Sequence, residues 1–343
     1  MVLRNSFLSL IAGACALTGV QVATASAEEV NVYSYRQEVL IRPLLDRFTA
    51  KTGIDVNLVN GKADVLLERL KSEGMNSPAD VLLTADVGRL IRAKKAGVMQ
   101  SVTSDELSKL IPAQYRDPDG QWFGLSLRSR VIFAAKGVVK EGEISTYEDL
   151  ADPKWEGRIC IRSSSNIYNQ SLLGSLIVHN GAEKAQSWAD AVVANMARKP
   201  QGGDRDQIKA VAAGQCDIAV GNTYYLGKML TGKDESQKAA AEKVFIIWPN
   251  QKGRGSHVNI SGAGVTKSAK HKENAIKLIE FLASDEAQKV YTEEVYEYPL
   301  RDGIDVSDTL ASWGEFKADQ IKLSDFAEHQ AEAVRIFDKA GWR

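Results

Sequence analysis

Three consecutive segments near the start of the chain decide its fold: VNVYSY (30–35), LIRPLLDRFTAKTG (40–53) and IDVNLV (54–59). The first and third are short and apolar or alternating, as strands are, whereas leucine and phenylalanine recur at helical spacing in the second. Gly53 stands where a helix C-cap is expected. A strand, a helix and a strand in this order predict a βαβ unit.

The same alternation continues along the chain. ADVLLERLKSEG (63–74) predicts an amphipathic helix, ADVLLTAD (79–86) a buried strand and VGRLIRAKKAG (87–97) a helix. Ser145 and Glu148 have the spacing of a helix capping box. Further strands are expected at 124–137, 159–161, 216–221, 243–249 and 261–267, and further helices at 169–181, 182–196, 204–215 and 272–294. This order predicts an open α/β fold with a largely parallel sheet and helices on both faces.

The first 27 residues have the pattern of a secretory signal. Arg4 precedes an apolar run from Phe7 to about Val20, and Ala25-Ser26-Ala27 follows as a cleavage site. No later stretch approaches the roughly 18–20 apolar residues of a membrane span. We therefore expect export and a mature chain that begins near Glu28; the alternative is a buried first helix.

The cysteines support an oxidising compartment. Cys15 raises a lipoprotein alternative, which is disfavoured because Ala12 stands where a lipobox would have leucine. Cys160 and Cys216 each lie in or next to a predicted strand, so adjacent strands could bring them into bonding range. A disulfide is expected, with a pair of buried thiols as the alternative.

The length and the net charge of the chain limit the classes of protein to which it can belong. The chain has 343 residues, with 43 basic against 44 acidic side chains and a formal net charge of −1. A near-neutral chain lacks the basic field that nucleic-acid binding requires. Its length suggests about two lobes, and a cleft between two such lobes is a favoured ligand site.

Three tyrosines are the candidate functional residues. Tyr168 lies in SSSNIYNQS, and Tyr224 and Tyr225 lie in GNTYY; both segments follow predicted strands and are bordered by small polar residues. Ligands of open α/β sheets bind beyond the carboxyl ends of the strands. We therefore expect these phenols at the mouth of a cleft. The tyrosines expected to pack in the interior are Tyr147, Tyr291, Tyr296 and Tyr298.

Converging phenols have two uses. They could stack on a sugar or a cationic ligand, or they could bind a hard cation as phenolates. Fe³⁺ is the strongest metal candidate, since Mg²⁺ and Ca²⁺ prefer carboxylates and carbonyls and zinc prefers His or Cys. The four histidines are scattered, and surface or helix-end roles are expected for His179, His257, His271 and His329.

Three phenolates would leave coordination positions on Fe³⁺ to be filled, and a small anion such as carbonate suits them. The anion would need cationic and amide donors. Arginines at a strand-to-helix turn and on a strand, and hydroxyl and amide groups at a helix N-terminus, can supply them. The candidate anion donors are Arg36, Arg128, Arg130, Ser164, Ser165 and Asn166.

Several segments resemble the periplasmic ferric-ion-binding proteins of bacterial ABC iron transporters. They are VYSYRQ, PADVLLTADVGRL, GLSLRSRVI, RSSSNIYNQSL, CDIAVGNTYY and, near the end, FLASDEAQKVY with YPLRDG. The likeness runs over essentially the whole exported chain, and NIYNQS together with NTYY is its most specific part. It implies a two-lobed periplasmic-binding-protein type II fold with hinge strands and a central cleft that holds Fe³⁺.

The resemblance also implies roles for particular residues. The tyrosine ligands of the family fall on Tyr168, Tyr224 and Tyr225. Some members add a His or Tyr from the first strand-to-helix turn and a Glu after the ADV strand, where this chain has Gln37 or Glu38, and Ala85. This departure favours the subgroup in which tyrosines of one lobe, with carbonate or water, complete the metal shell.

The expected organisation is a signal at 1–27, an N-lobe from 28–127 and 256–305, a C-lobe at 128–255 with the tyrosine site, and C-terminal helices at 306–343 that pack on the C-lobe. The resemblance implies a periplasmic monomer that delivers Fe³⁺ to an inner-membrane ABC permease, and no enzyme activity.

Three alternatives stay open on the sequence. One keeps the fold but binds a small organic ion or a sugar through stacked tyrosines. Another is an exported enzyme, against which the chain has no G-x-S-x-G, no H-E-x-x-H and no complete dinucleotide fingerprint. The third is an adhesion or scaffold module, which the absence of sequence repeats disfavours.

Overall fold

The computed structural model describes residues 28–343. The signal segment and the lipid-attachment alternative at Cys15 lie outside these residues. The strands are β1 (Glu29–Ser34), β2 (Asp55–Asn60), β3 (Val81–Ala85), β4 (Phe123–Ala135), β5 (Ile159–Cys160), β6 (Ile218–Asn222), β7 (Val244–Ile247) and β8 (Val258–Val265).

Helices occupy about half of the remaining described chain. They are α1 (Glu38–Thr52), α2 (Ala63–Glu73), α3 (Val87–Lys95), α4 (Asp105–Leu110), α5 (Ile167–Asn180), α6 (Ala182–Ala194), α7 (Asp204–Ala212), α8 (Thr223–Thr231), α9 (Glu235–Ala241), α10 (Lys272–Ala283), α11 (Asp285–Val290), α12 (Asp308–Ala311), α13 (Leu323–Glu328) and α14 (Gln330–Ala340). None of the described helices is long and apolar enough to cross a membrane.

The strands form one mixed sheet in the order β2-β1-β3-β8-β4-β6-β5, with β7 paired to β4. The pairs β1–β2, β1–β3 and β5–β6 are parallel. The four pairs that include β4 or β8 are antiparallel. The predicted α/β class is confirmed, but the expectation of a largely parallel sheet is wrong, because two long strands run against their neighbours.

The strand β4 belongs to both halves of the molecule. All 13 of its residues are buried. Its first half pairs with β8, with Leu127 opposite Ile260, and its second half pairs with β6, with Ile132 opposite Val220. A strand that is continuous across two cores makes a rigid connection within each core and a natural hinge between them.

Two separate interiors flank this connection. One contains Phe48 of α1, Leu83 of β3 and Leu278 of α10, together with the apolar face of β8. We call this half the N-lobe. The other contains apolar side chains of β5, β6, α5 and α6, among them Leu173 and Val220, and we call it the C-lobe. Each lobe thus buries its own core, as the length of the chain suggests.

The C-terminal segment contacts both interiors. Ile336 and Trp342 pack in the C-lobe core. Leu323 and Phe326 of α13 pack in the N-lobe core instead, and α13 contacts both α3 and α5. The lobe boundaries expected from the sequence stay a prediction, but this segment ties the two halves together rather than covering one alone.

Two local expectations are wrong. The single helix expected at 272–294 is divided into α10, α11 and a short π-helical segment at Tyr291–Val295. The break between α10 and α11 is at Ser284, which is extended and whose hydroxyl caps α11 by accepting from the backbone N–H of Ala287. The capping box of Ser145 and Glu148 does not form: Asp149 accepts hydrogen bonds from the backbone and hydroxyl of Ser145, and only short 3₁₀ turns follow.

The predicted disulfide is present between Cys160 and Cys216, whose Cα atoms are 5.8 Å apart. Cys160 ends β5, and Cys216 stands two residues before β6. These strands pair in parallel, with Ile159 opposite Ile218, and Cys216 in the turn before β6 is within bonding range of Cys160. The bond therefore anchors the strand that leads into the tyrosine pair.

Candidate metal and anion site

The three predicted tyrosines lie at the starts of two helices of the C-lobe. Tyr168 is the second residue of α5, and Tyr224 and Tyr225 are the second and third residues of α8, directly after β6. Asn166 caps α5 by accepting from the backbone N–H of Tyr168. The strand-to-helix turns therefore carry the phenols to the same edge of the sheet, as the sequence predicts.

The three phenols come together. The hydroxyl oxygens of Tyr224 and Tyr168 are 3.4 Å apart. The rings of Tyr224 and Tyr225 are neighbours with centroids 4.2 Å apart. All three line a cavity of about 380 Å³. We call it the tyrosine cavity, and it is lined by Tyr35, Arg36, Gln37, Leu40, Asn60, Gly61, Lys62, Ala85, Tyr168, Tyr224 and Tyr225.

The opposite wall contributes a fourth phenol, Tyr35, from the turn between β1 and α1. The guanidinium of Arg89 lies 3.9 Å from the centroid of its ring. Sequence reasoning missed Tyr35 as a site residue, although it follows a strand as the other three do. Gln37 and Ala85 also line the cavity, whereas the carboxylate of Glu38 accepts hydrogen bonds from Arg42 at the surface.

Burial and mutual repulsion keep these phenols protonated. The pKa of Tyr224 is raised well above 10, mainly because the hydroxyl is buried and also because Tyr168 and Tyr225 are close to it. Burial and the nearby Tyr168 also raise the pKa values of Tyr225 and Tyr35. The hydroxyls of Tyr35, Tyr224 and Tyr225 therefore carry protons at neutral pH, and ionising them requires a cation in the cavity.

Arg36 supplies a cation at the wall of the tyrosine cavity. One of its terminal nitrogens donates to Glu297, at 2.7 Å, and to Ser261. Its Nε and Nη2 are buried and have no hydrogen-bond partner. Glu297 is fully buried, and its charge raises the pKa of Arg36 still further. The guanidinium is thus held in place with two donors left for an anion.

Arg128 and Arg130 lie beside Tyr168 but do not line the tyrosine cavity. Their guanidinium carbons are 5.7 and 6.0 Å from the centroid of the Tyr168 ring. Arg130 donates to the buried carboxylate of Asp204, which Arg162 also contacts. The phenol ring of Tyr168 therefore has several arginines around it, of which the sequence analysis predicted only the two on β4 as site residues.

The predicted serine and asparagine donors occupy the turn before α5. Ser165 is exposed, and Ser164 and Asn166 are half-buried. The side chain of Asn166 is used as the helix cap, and the backbone carbonyl of Ser164 accepts from Gln170. None of the three lines the tyrosine cavity, so their role toward an anion stays a prediction.

Histidines take no part in the tyrosine cavity. Three of them lie at helix ends or the surface, as expected: His179, His271 and His329. The expectation for His257 is wrong, because it is 3% exposed, and burial lowers its pKa to about 3. Among residues 28–343, no group of three or more His, Cys, Asp or Glu side chains could hold a metal ion.

The four tyrosines expected in the interior differ in their burial. Tyr147 and Tyr291 are fully buried, and Tyr147 accepts a hydrogen bond from the backbone N–H of His257, which confirms their packing role. Tyr296 and Tyr298 are partly exposed, and Tyr298 packs against Trp248.

A second, larger cavity of about 780 Å³ lies between α3, the loop at 113–122 and α13. Ile91, Trp122 and Leu323 form part of its wall, and none of the candidate tyrosines reaches it. It lacks the convergent phenols that would bind a hard cation.

Two α/β lobes that share the continuous strand β4, with a cavity between them, define the class of two-lobed solute-binding proteins. Residues 76–318 match the family of bacterial extracellular solute-binding proteins, and the chain belongs to this family. It is a family of transport proteins rather than of enzymes.

Three similar proteins are named for iron. Iron uptake protein A1 of Synechocystis sp. is 52% identical over 316 residues, which cover 92% of this chain and 88% of that protein. A solved structure of the Trichodesmium protein IdiA (FutA), in complex with iron and citrate ligands, superposes with a TM-score of 0.88 at 50% identity and covers 92% of this chain and 100% of that one. Apo ferric ion-binding protein A of Pasteurella haemolytica superposes with a TM-score of 0.87 at 47% identity and covers 92% of this chain and 98% of that one.

Proposed function

We propose that this protein is an exported solute-binding protein that captures Fe³⁺ in the tyrosine cavity. The observation that carries the proposal is the convergence of Tyr168, Tyr224 and Tyr225 on one cavity at the starts of two helices, where the hydroxyl oxygens of Tyr168 and Tyr224 are 3.4 Å apart. Relatives at about half identity over nearly the whole chain are iron-uptake and ferric-ion-binding proteins, which supports the same cargo.

The chemistry favours a trivalent ion. Phenolate oxygen is a hard donor, and a 3+ charge offsets both the burial and the mutual repulsion that keep the phenols protonated. Three phenolates neutralise Fe³⁺, and Tyr35 from the opposite wall is placed to add a fourth oxygen. Each bond releases one phenol proton, so metal affinity depends on pH.

A small anion completes the site in this proposal. Arg36 is held by Glu297 and presents two buried donors that have no partner. A cavity of about 380 Å³ exceeds the volume of a bare ion, so it has space for carbonate or a larger carboxylate beside the metal. The two arginines behind Tyr168 and the turn at Ser164, Ser165 and Asn166 were the other anion donors expected from the sequence.

Capture would proceed in two stages. Fe³⁺ first meets the three C-lobe tyrosines, and the wall that bears Tyr35 and Arg36 then closes over it. The change would occur at β4, the strand that belongs to both lobes, and the metal would favour the closed state by its contacts to both walls. The closed protein would deliver Fe³⁺ to an inner-membrane ABC permease from the periplasm, as its family implies.

Absorbance spectroscopy tests the proposal. Addition of ferric citrate to metal-free protein should produce a visible tyrosinate-to-iron charge-transfer band at one equivalent of iron. Tyr224→Phe and Tyr225→Phe should each lose most of that band, whereas Tyr147→Phe, a phenol buried away from the cavity, should keep it. A colourless wild-type protein would refute iron binding through tyrosine and favour the organic-ligand alternative.

A further inference from the structure

A small chamber in the structure shares only one lining residue, Tyr168, with the tyrosine cavity. Its free volume is about 10 Å³, enough for one guest the size of a water molecule. We call it the rear chamber, and it is lined by Asp86, Arg128, Arg130, Tyr168, Asn222, His257 and Asn259.

The walls of the rear chamber have a surplus of hydrogen-bond donors. Four lining residues carry a buried nitrogen that has no hydrogen-bond partner: Nη2 of Arg128, Nε of Arg130, Nδ2 of Asn222 and Nδ1 of His257. Each of these residues is at most 3% exposed. Buried donors without partners are rare in native proteins, and four around one chamber indicate a guest that accepts hydrogen bonds.

The charges at the chamber also favour an anion. Arg128 and Arg130 bring two positive charges, and Asp86 brings one negative charge. Asp204 contacts Arg130, but Arg162 contacts it as well, so Asp204 and Arg162 together add no net charge. The oxygens of Asp86 are already occupied, since they accept from Ser171, Asn259 and the backbone N–H of Gly88. Arg128 approaches Asp86 only to 4.0 Å. The wall therefore keeps an excess of positive charge.

We propose that the rear chamber binds one halide ion, with chloride as the natural guest. A single water molecule accepts two hydrogen bonds and would leave two of the four donors unpartnered, whereas a spherical anion accepts from all of them. If His257 carries its proton on the other ring nitrogen, three donors still remain, which again exceeds what one water satisfies.

This site is separate from the anion that accompanies the metal, and it does not depend on iron binding. Its walls come from both lobes: Asp86 follows β3, Arg128 and Arg130 lie on β4, Asn222 ends β6 and His257 precedes β8. A bound halide therefore connects residues of both lobes and lies beside Tyr168.

Bromide tests the proposal, because it replaces chloride and scatters anomalously. Crystals of the metal-free protein soaked in bromide should show a bromine peak in the rear chamber. In solution, at equal ionic strength, bromide should raise Tm by about 4 °C over gluconate, an anion too large for the chamber, when its concentration is about 100 times Kd.

A matched pair of variants separates the chamber from general salt effects. Asn222→Asp places a carboxylate inside the chamber and keeps the oxygen that accepts from Arg130, so the bromide shift should disappear. Asn76→Asp makes the same change at an exposed position and should keep the full shift. Water without an anomalous signal in the chamber, or an equal bromide shift in both variants, would overturn the proposal; the wild-type crystal result stands even if Asn222→Asp fails to fold.

Discussion

The pH dependence of iron capture follows from the protonation of the tyrosines. At pH 7, ionising one phenol with an ordinary pKa near 10 costs about 4 kcal/mol. Burial and the neighbouring phenols raise the pKa values of Tyr224 and Tyr225 above 10, so their cost is larger. Three phenolates therefore require more than about 12 kcal/mol from the bonds to Fe³⁺.

The protons that the phenols release on binding set both the sign and the slope of the dependence of iron affinity on pH. Each phenol that loses a proton on binding makes the affinity fall about tenfold, or about 1.4 kcal/mol, for every unit by which the pH is lowered. Three tyrosines give about a thousandfold loss per pH unit, and Tyr35 would steepen it.

Competition with citrate between pH 6.5 and 8.5 would measure this slope, and a pH indicator in weak buffer would count the protons released. Tyr225→Phe should release one proton fewer than the wild type and should lower the slope by one tenfold step per pH unit. Equal proton release by Tyr225→Phe and the wild type, or an affinity that does not change with pH, would refute the assignment of phenolate ligands.

Other expectations concern stability. Replacing both Cys160 and Cys216 with alanine should lower the free energy of unfolding by about 4 kcal/mol for a loop of 56 residues, measured by urea denaturation; an unchanged midpoint would contradict it. Asp204→Asn leaves Arg130 in the interior without its carboxylate and should cost about 3–5 kcal/mol, which thermal unfolding would reveal. His257 has a pKa of about 3 in the folded protein, so it stays neutral there while the unfolded chain gains a proton below about pH 6.5. The free energy of unfolding should therefore fall by about 3 kcal/mol between about pH 6.5 and about pH 4. His257→Gln should remove this part of the pH dependence, and a variant with the same stability profile as the wild type would contradict the prediction.

The order of strands and helices could be predicted because hydrophobic periodicity is a local property. VNVYSY and ADVLLTAD became β1 and β3 within one or two residues. The direction of pairing is not local: β3 pairs with β8, which lies more than 170 residues further along the chain, with Leu83 opposite Ala263. No sequence pattern within β3 or β8 predicts that the two strands pair in the antiparallel direction.

Part of the candidate site could also be predicted, because its signal is local in the sequence. Tyr168, Tyr224 and Tyr225 follow strands and have polar neighbours, a signal that the sequence carries by itself. Tyr35 continues the alternation of a strand and so looked like part of it. His257 stands among polar residues, so its burial depends on tertiary packing that only the folded chain provides.

Iron-anomalous diffraction from crystals of the protein loaded with ferric citrate tests the central claim most directly. The account predicts one iron peak in the tyrosine cavity, within bonding distance of the phenol oxygens of Tyr168, Tyr224 and Tyr225. An iron peak elsewhere, or a cavity filled by an organic molecule stacked on protonated phenols, would contradict it.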